Sequence, residues 1–152
     1  MNVIAESNLV VTWQSRPRGF VALMGLYESN YLRLAALAGD LASLPAAAIS
    51  AGCADCALIL NVLEHSRYTS ELLLTYLLPA LAAPHLLERV PDLRLRLYHD
   101  ARLLEARRAD GLGPERELDR RWDCNMMVNK WLEYCVERGH RFRPRGIESI
   151  ID

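Results

Sequence analysis

Long apolar runs are missing from this chain of 152 residues: nothing in it approaches the roughly 20 uninterrupted apolar residues that a helix needs to cross a bilayer. The opening stretch MNVIAESNLVVTWQSRPRG places Glu6 where a secretory leader carries basic residues, and its apolar LVV is too short for a leader's core. A cytoplasmic location is the expectation, with the four cysteines Cys53, Cys56, Cys124 and Cys135 as reduced thiols rather than a disulfide framework. Lysine is almost absent. Lys130 is one of 18 basic residues, and the arginine, alanine and leucine richness around it reads as a compositional habit rather than a phosphate-binding design. A formal net charge of −1 supplies no basic field to hold a polyanion, so nucleic acid is disfavoured as a partner. The chain also has no phosphate-binding P-loop, no dinucleotide fingerprint and no G-x-S-x-G elbow. No cofactor is expected.

What is present is the material of one folded domain. At 51% hydrophobic residues the chain has enough apolar surface for a single core, and a domain of this length buries about 70% of what its unfolded chain exposes. Residues 1–16 show no period and read as an N-terminal arm. SRPRGFVALMGLYESNYLRLAALAGD reads as a helix, with Ser15 in the N-cap place and Pro17 in the first turn. Phe20, Leu23, Tyr27, Tyr31, Leu34 and Ala38 recur at spacings of three and four, and Gly39 stands where a left-handed residue ends a helix.

The middle of the chain, CALILNVLEHSRYTSELLLTYLLPALA, is rich in good helix formers. Gly52, Asp55 and Pro79 punctuate it, however, and the polar EHSRYTSE divides it into two runs of strand length, so a β-hairpin is predicted over 56–78. ALAAPHLLERVPD, with two prolines, reads as a loop with one helical turn. LRLRLYHD has strict period two, the mark of a strand with one buried and one solvated face. Beyond it two backbone paths are open. In a hairpin turning at Asp100-Ala101, Leu97 faces Leu104 and Arg96 faces Glu105. A two-residue hairpin loop, however, needs positive φ at both central positions, which Ala101 resists. The preferred path is therefore one long strand from 93 to about 107, bulged near His99.

RRADGLGPERELD is a glycine- and proline-interrupted connection. DRRWDCNMMVNKWLEYCVERG then puts Cys124, Val128, Trp131, Leu132 and Cys135 on one helical face, capped at Asp119 or Asp123 and ended at Gly139. Residues 141–152 form a tail that is basic and then isoleucine-rich. The assembly is an α+β two-layer domain over 17–140, in which an antiparallel sheet of four to five strands packs against an N-terminal and a C-terminal helix.

Candidate chemistry is sparse. Cys53 and Cys56 have C-x-x-C spacing, but no second C-x-x-C or H-x-x-x-H completes a zinc set, and the pair precedes a strand rather than opening a helix. Neighbouring side chains on a strand point to opposite faces, so His99 and Asp100 share no metal unless the backbone bends. Ser66, Ser70, Asp55 and the histidines assemble no recognisable nucleophile motif. The residues that remain as a candidate binding set are Glu64, Arg67, Tyr68, Arg96, Tyr98, His99 and Asp100. They gather where regular pairing is disturbed, with Arg67 expected to pair with Asp100 or Glu64.

ESNYLRLAALAGD, LEHSRYTSELLL, LRLYHDARLLEA and NKWLEYCVERG occur in the order and at the separations found in the small bacterial family of unknown function represented by the YqiB protein. The chain resembles that family over roughly residues 20–140, and SRYT, RLYHDA and WLEYCVERG form the most distinctive combination. The resemblance supports strands over 56–78 and carries no activity with it. The functional expectation is a non-enzymatic protein-interaction or adaptor domain. Its contact surfaces would be a sheet edge, the arginine face and the tail, and its partner another protein or a second copy of itself. The alternative is a small-molecule or anion-binding protein, or a weak enzyme, centred on Arg67 and His99.

Overall fold

Strict alternation in LRLRL sends every second residue, its three leucines, to one side of the strand, and that side is where the core lies. The computed structural model describes residues 19–51, 56–79, 87–107 and 117–144. In chain order it consists of helix α1 (Phe20–Ala38), a 3-10 turn (Leu41–Ser43), strands β1 (Ala47–Ser50), β2 (Ala57–His65), β3 (Thr69–Pro79), β4 (Leu87–Tyr98) and β5 (Leu103–Arg107), helix α2 (Glu117–Glu137) and strand β6 (Arg143–Pro144). The six strands form one antiparallel sheet in the order β5-β4-β3-β2-β1-β6. Five consecutive strands meander, and the chain returns through α2 to add β6 beside β1.

The α+β class holds, with six strands rather than four to five. The two additions are short strands that hydrophobic period cannot mark, β1 with four residues and β6 with two from the basic RFRPR segment. The loop expected over ALAAPHLLERVPD is likewise corrected, since Leu87–Asp92 belongs to β4. Pro91 is accommodated because the ladder is interrupted there: Thr75 pairs with Asp92 and Leu77 with Arg89, leaving two residues of β4 opposite Tyr76. A proline with no N–H to donate is tolerated in a strand at such a bulge.

The long bent strand preferred for 93–107 is wrong, and the hairpin is right. Leu97 pairs with Leu104 and Arg96 with Glu105, as that path required. Its loop is four residues, His99 to Arg102, not two. Positive φ is confined to Arg102 at 57°, so Ala101 carries none of the strain that counted against the turn.

Leu58, Leu60, Leu72, Leu74, Leu95, Leu97, Leu104 and Ala106 form the inner face of the sheet, and Leu34, Leu37, Val128, Leu132 and Cys135 cover it from the helices. Gly39 at φ 75° and Gly139 at φ 86° end the two helices, and each N–H returns to a carbonyl of the last turn. Nothing crowds either Cα, so backbone conformation alone selects glycine there. Helix α1 is flanked by the extended Gly19. The expected cap Ser15 and Pro17 lie outside the described residues. Asp119 and Asp123 fall inside α2, which begins at Glu117.

The two helices together also close one edge of the sheet. Asn125 accepts the Ala106 N–H (2.7 Å) and donates to the Ala106 carbonyl (3.3 Å), while Asn30 donates to the Leu104 carbonyl (3.3 Å) and to Asn125 (3.2 Å). Two asparagine side chains thus stand in for a further strand along β5. An open edge of this kind is what invites pairing with another chain.

On the outer face Glu71 binds Arg96 at 2.6 Å and Arg107 at 3.6 Å. Glu105 takes the hydroxyls of Tyr27 and Tyr98, each at 3.1 Å. Burial first, and then the Glu105 carboxylate, hold the Tyr27 phenol well above its ordinary value of about 10. A group whose folded pKa is raised contributes stability that is fully present below the unfolded pKa and is lost as pH rises above it. Tyr27→Phe should therefore flatten the fall in stability above about pH 10. Denaturation midpoints measured from neutral pH to pH 11 check this, and an unchanged alkaline slope counts against it.

Candidate functional site

Six of the seven residues expected at the site lie in or beside two neighbouring turns at one end of the sheet, and structure divides them. Arg67 and Tyr68 are exposed in the β2–β3 turn, with the guanidinium 5.2 Å from the ring centroid. Asp100 is exposed in the β4–β5 turn. Among the described residues no ion pair joins Arg67 to Asp100 or Glu64, so the expected pairing is not formed. Arg96, the seventh, is bound to Glu71 on the outer face, and that hydrogen bond holds its guanidinium above its usual value. Tyr98 donates to Glu105 on the same face.

His99 alone of that set meets a group of chemical interest. Its Nε2 lies 2.9 Å from Ser70 Oγ, and the same oxygen lies 2.7 Å from Nδ1 of His65. The two rings meet edge to face with centroids 5.4 Å apart. Ser70 is buried, His99 is half-buried and His65 is exposed.

The local sequence explains how His65 on β2, Ser70 on β3 and His99 in the β4–β5 turn converge. Along β2, Leu58, Leu60 and Val62 pair with the core-facing Tyr76, Leu74 and Leu72. Unbroken alternation would then turn Glu64 inward and His65 outward. Instead Val62 pairs with Leu72, Glu64 with Glu71 and His65 with Ser70, so Leu63 is an extra residue and the parity switches. A bulge re-aims the side chains that follow it. Here it delivers His65 to the side of Ser70. His99 lies two residues beyond Leu97, the partner of Ser70, and its N–H bonds the Tyr68 carbonyl at 2.9 Å.

Next to this trio lies a half-open cleft of about 340 Å³, lined by Leu41, Leu44, Ala46, Val62, Leu63, Glu64, His65 and Ser70. Asp40 shapes its roof: the carboxylate accepts the Ala42 N–H and the Ser43 hydroxyl, each at 3.0 Å, which fixes the 3-10 turn carrying Leu41. Ser66 fixes the neighbouring β2–β3 turn by donating from both its N–H (2.8 Å) and its hydroxyl (2.9 Å) to the Thr69 carbonyl. The cleft is therefore apolar along most of its wall and polar at the Glu64, His65 and Ser70 end.

Sequence reasoning missed His65 and Ser70 as site residues. The available signal was a histidine and a serine flanking the SRYT turn, but alternation assigns them opposite faces unless the bulge at Leu63 is foreseen.

Elsewhere, the fourth histidine is structural in its surroundings. Nδ1 of the buried His140 lies 2.8 Å from Ser50 Oγ, which also accepts the Arg141 N–H at 2.8 Å. Among the described residues Cys56, Cys124 and Cys135 form no disulfide with one another. Cys53 lies outside the described residues, and so does the question of its pairing with Cys56. Among the described residues no three His, Cys, Asp or Glu side chains gather as a metal site. No helix there is long and apolar enough to cross a membrane.

These features define an α+β domain with an antiparallel meander, a helical layer on one face and a cleft at one end of the sheet. The chain belongs to the family described as protein of unknown function (DUF1249), whose model matches residues 33–141. Neither a curated protein nor a solved structure matches it.

Proposed function

We propose that this chain is a small-molecule-binding domain whose site is the cleft ending at His65, Ser70 and His99. The observation that carries this reading is the pairing of an apolar wall with a convergent polar end. Ligand sites combine a concave, mostly apolar lining with a few placed polar groups that orient the ligand, in volumes of about 300–1,000 Å³. The 340 Å³ cleft fits that description.

The adaptor reading has less to draw on. Of the contact surfaces it offered, the β5 edge is occupied by Asn30 and Asn125, and Arg96 and Arg107 of the arginine face are engaged by Glu71. What favours it is Val21 and Leu32, both exposed on α1 and eleven residues apart, which places them on the same side three turns along. Self-association through that side would appear in sedimentation equilibrium and be removed by Leu32→Ser.

The cleft reading is tested by screening small aliphatic and polar fragments against the protein by heteronuclear NMR. Shifts are expected at Leu41, Leu44, Val62, Leu63 and His65. Ser70→Ala should abolish them while changing stability by only about 0.5–1.5 kcal/mol, the ordinary net worth of a hydrogen bond whose partners reach solvent. A screen in which no fragment perturbs these residues sinks the reading.

A further inference from the structure

The inference that follows rests on the cleft being a ligand site, and it concerns which ligand the polar end selects. Ser70 has a single hydroxyl proton, yet two imidazole nitrogens stand within hydrogen-bond distance of its oxygen, Nδ1 of His65 at 2.7 Å and Nε2 of His99 at 2.9 Å. With both rings neutral, the hydroxyl donates to one ring and accepts from the other, so the tautomers of the two histidines are tied together. When Ser70 donates to His65, that ring carries its proton on Nε2, and His99 donates from Nε2. When the hydroxyl turns round, Nε2 of His65 becomes an acceptor. Three protons therefore serve two internal hydrogen bonds, and one N–H of the trio is left over.

Adding one proton changes what the trio shows. Four protons still serve two internal bonds, so two donors are left over and the trio carries a positive charge. In one arrangement these are Nε2–H of His65 and Nδ1–H of His99. In the other, Ser70 accepts from both rings and its own hydroxyl is freed. Ser70 and His65 both line the cleft, so either arrangement gives the cleft a hydrogen-bond donor beside a positive charge. Histidine is the side chain suited to make this change between about pH 5 and 8.

The charged groups nearby are of both signs. Glu64 lies on β2 in the cleft wall, Arg67 in the β2–β3 turn, and Asp100 in the β4–β5 turn. Arg102 lies 5.4 Å from the Tyr31 ring, and Asp40 is engaged by its own turn. Glu64 and Asp100 are exposed, where water and salt weaken their fields. None of these groups makes a hydrogen bond or ion pair with His65 or His99 among the described residues.

We propose that the cleft takes a short aliphatic carboxylate, its tail against Leu41, Leu44, Val62 and Leu63 and its carboxylate at His65 and Ser70, and that binding takes up one proton on the histidine pair. Hexanoate and its uncharged counterpart hexanamide, titrated into the full chain by calorimetry, test this. Hexanoate affinity is expected to fall by about tenfold per pH unit over the upper part of the histidine range, the slope of one linked proton, while hexanamide shows no slope. The enthalpy should also change with the ionisation enthalpy of the buffer.

Replacing both rings, His65→Asn together with His99→Asn, keeps hydrogen-bonding side chains beside Ser70 without a titrating group and should remove the slope. If that variant unfolds, His65→Asn alone, which removes the imidazole lining the cleft, should lower hexanoate affinity at the lower pH while leaving hexanamide unchanged. Equal hexanoate affinity at about pH 5.5 and 8, or hexanamide binding as tightly as hexanoate at the lower value, overturns the carboxylate and proton assignment. Fragment shifts in the cleft would leave the binding site standing in that case, and their absence would remove both.

Discussion

Replacing Asn125 with alanine is expected to lower the unfolding free energy by about 3–5 kcal/mol, more than any exposed substitution in the chain, because three buried partners lose their bonds at once. Asn125 is fully buried and binds the N–H and carbonyl of Ala106, the amide of Asn30 and the Arg121 carbonyl. A buried backbone group left without a partner costs about 1–3 kcal/mol. The same substitution strips the cover from β5. Chemical denaturation should show the loss and size-exclusion chromatography new oligomers, since an unpaired edge is a template for strand addition. A loss below about 1 kcal/mol would mean that water replaces the amide at little cost, and the edge-closing role would fall.

The second large effect is expected at Leu95. It is fully buried, pairs with Leu72 on one side and Ala106 on the other, and lies beneath the helices. Leu95→Ala should cost about 2–5 kcal/mol, the range for removing a buried leucine and leaving a cavity. Arg94→Ala, one residue away on the exposed face, should stay within about 0.5 kcal/mol. The contrast between adjacent positions is the test. Similar losses at both would mean that the strand's two faces are not what their period implies.

That contrast was legible in LRLRL without coordinates, because period two in a strand allows only one arrangement of faces. The helix of 20–38, its stop at Gly39 and the inward face of Val128, Leu132 and Cys135 were legible for the same kind of reason: each is a local pattern with a local cause. The β4–β5 connection shows the limit. Its strand pairs were foreseen in the path that was not preferred, and that path was set aside because a two-residue loop was assumed. The chain uses four residues and a single left-handed arginine.

The candidate site lay further out of reach. Glu64, Arg67 and Asp100 were chosen because charge clusters near turns are visible in a sequence, and they prove to be exposed groups that do not pair with one another. His65 and Ser70 were set aside because with Ser66 and Asp55 they assemble no recognisable nucleophile motif, and only the bulge at Leu63 brings the two to one face of the sheet. Whether a strand takes up an extra residue is decided by how its neighbours register against it, which depends on residues of other strands rather than on its own pattern.

By itself, then, the sequence determined the α+β class, the hairpin over 56–78, the two helices and which side of each faces the core, since these follow from periodicity and stop residues within a few turns of chain. Tertiary structure alone decided that asparagines close the β5 edge, that β6 returns beside β1, and that His65, Ser70 and His99 share one hydrogen-bond network beside a cleft. Those outcomes depend on strand register and on partners far apart in the chain, and no local pattern encodes the distance between them.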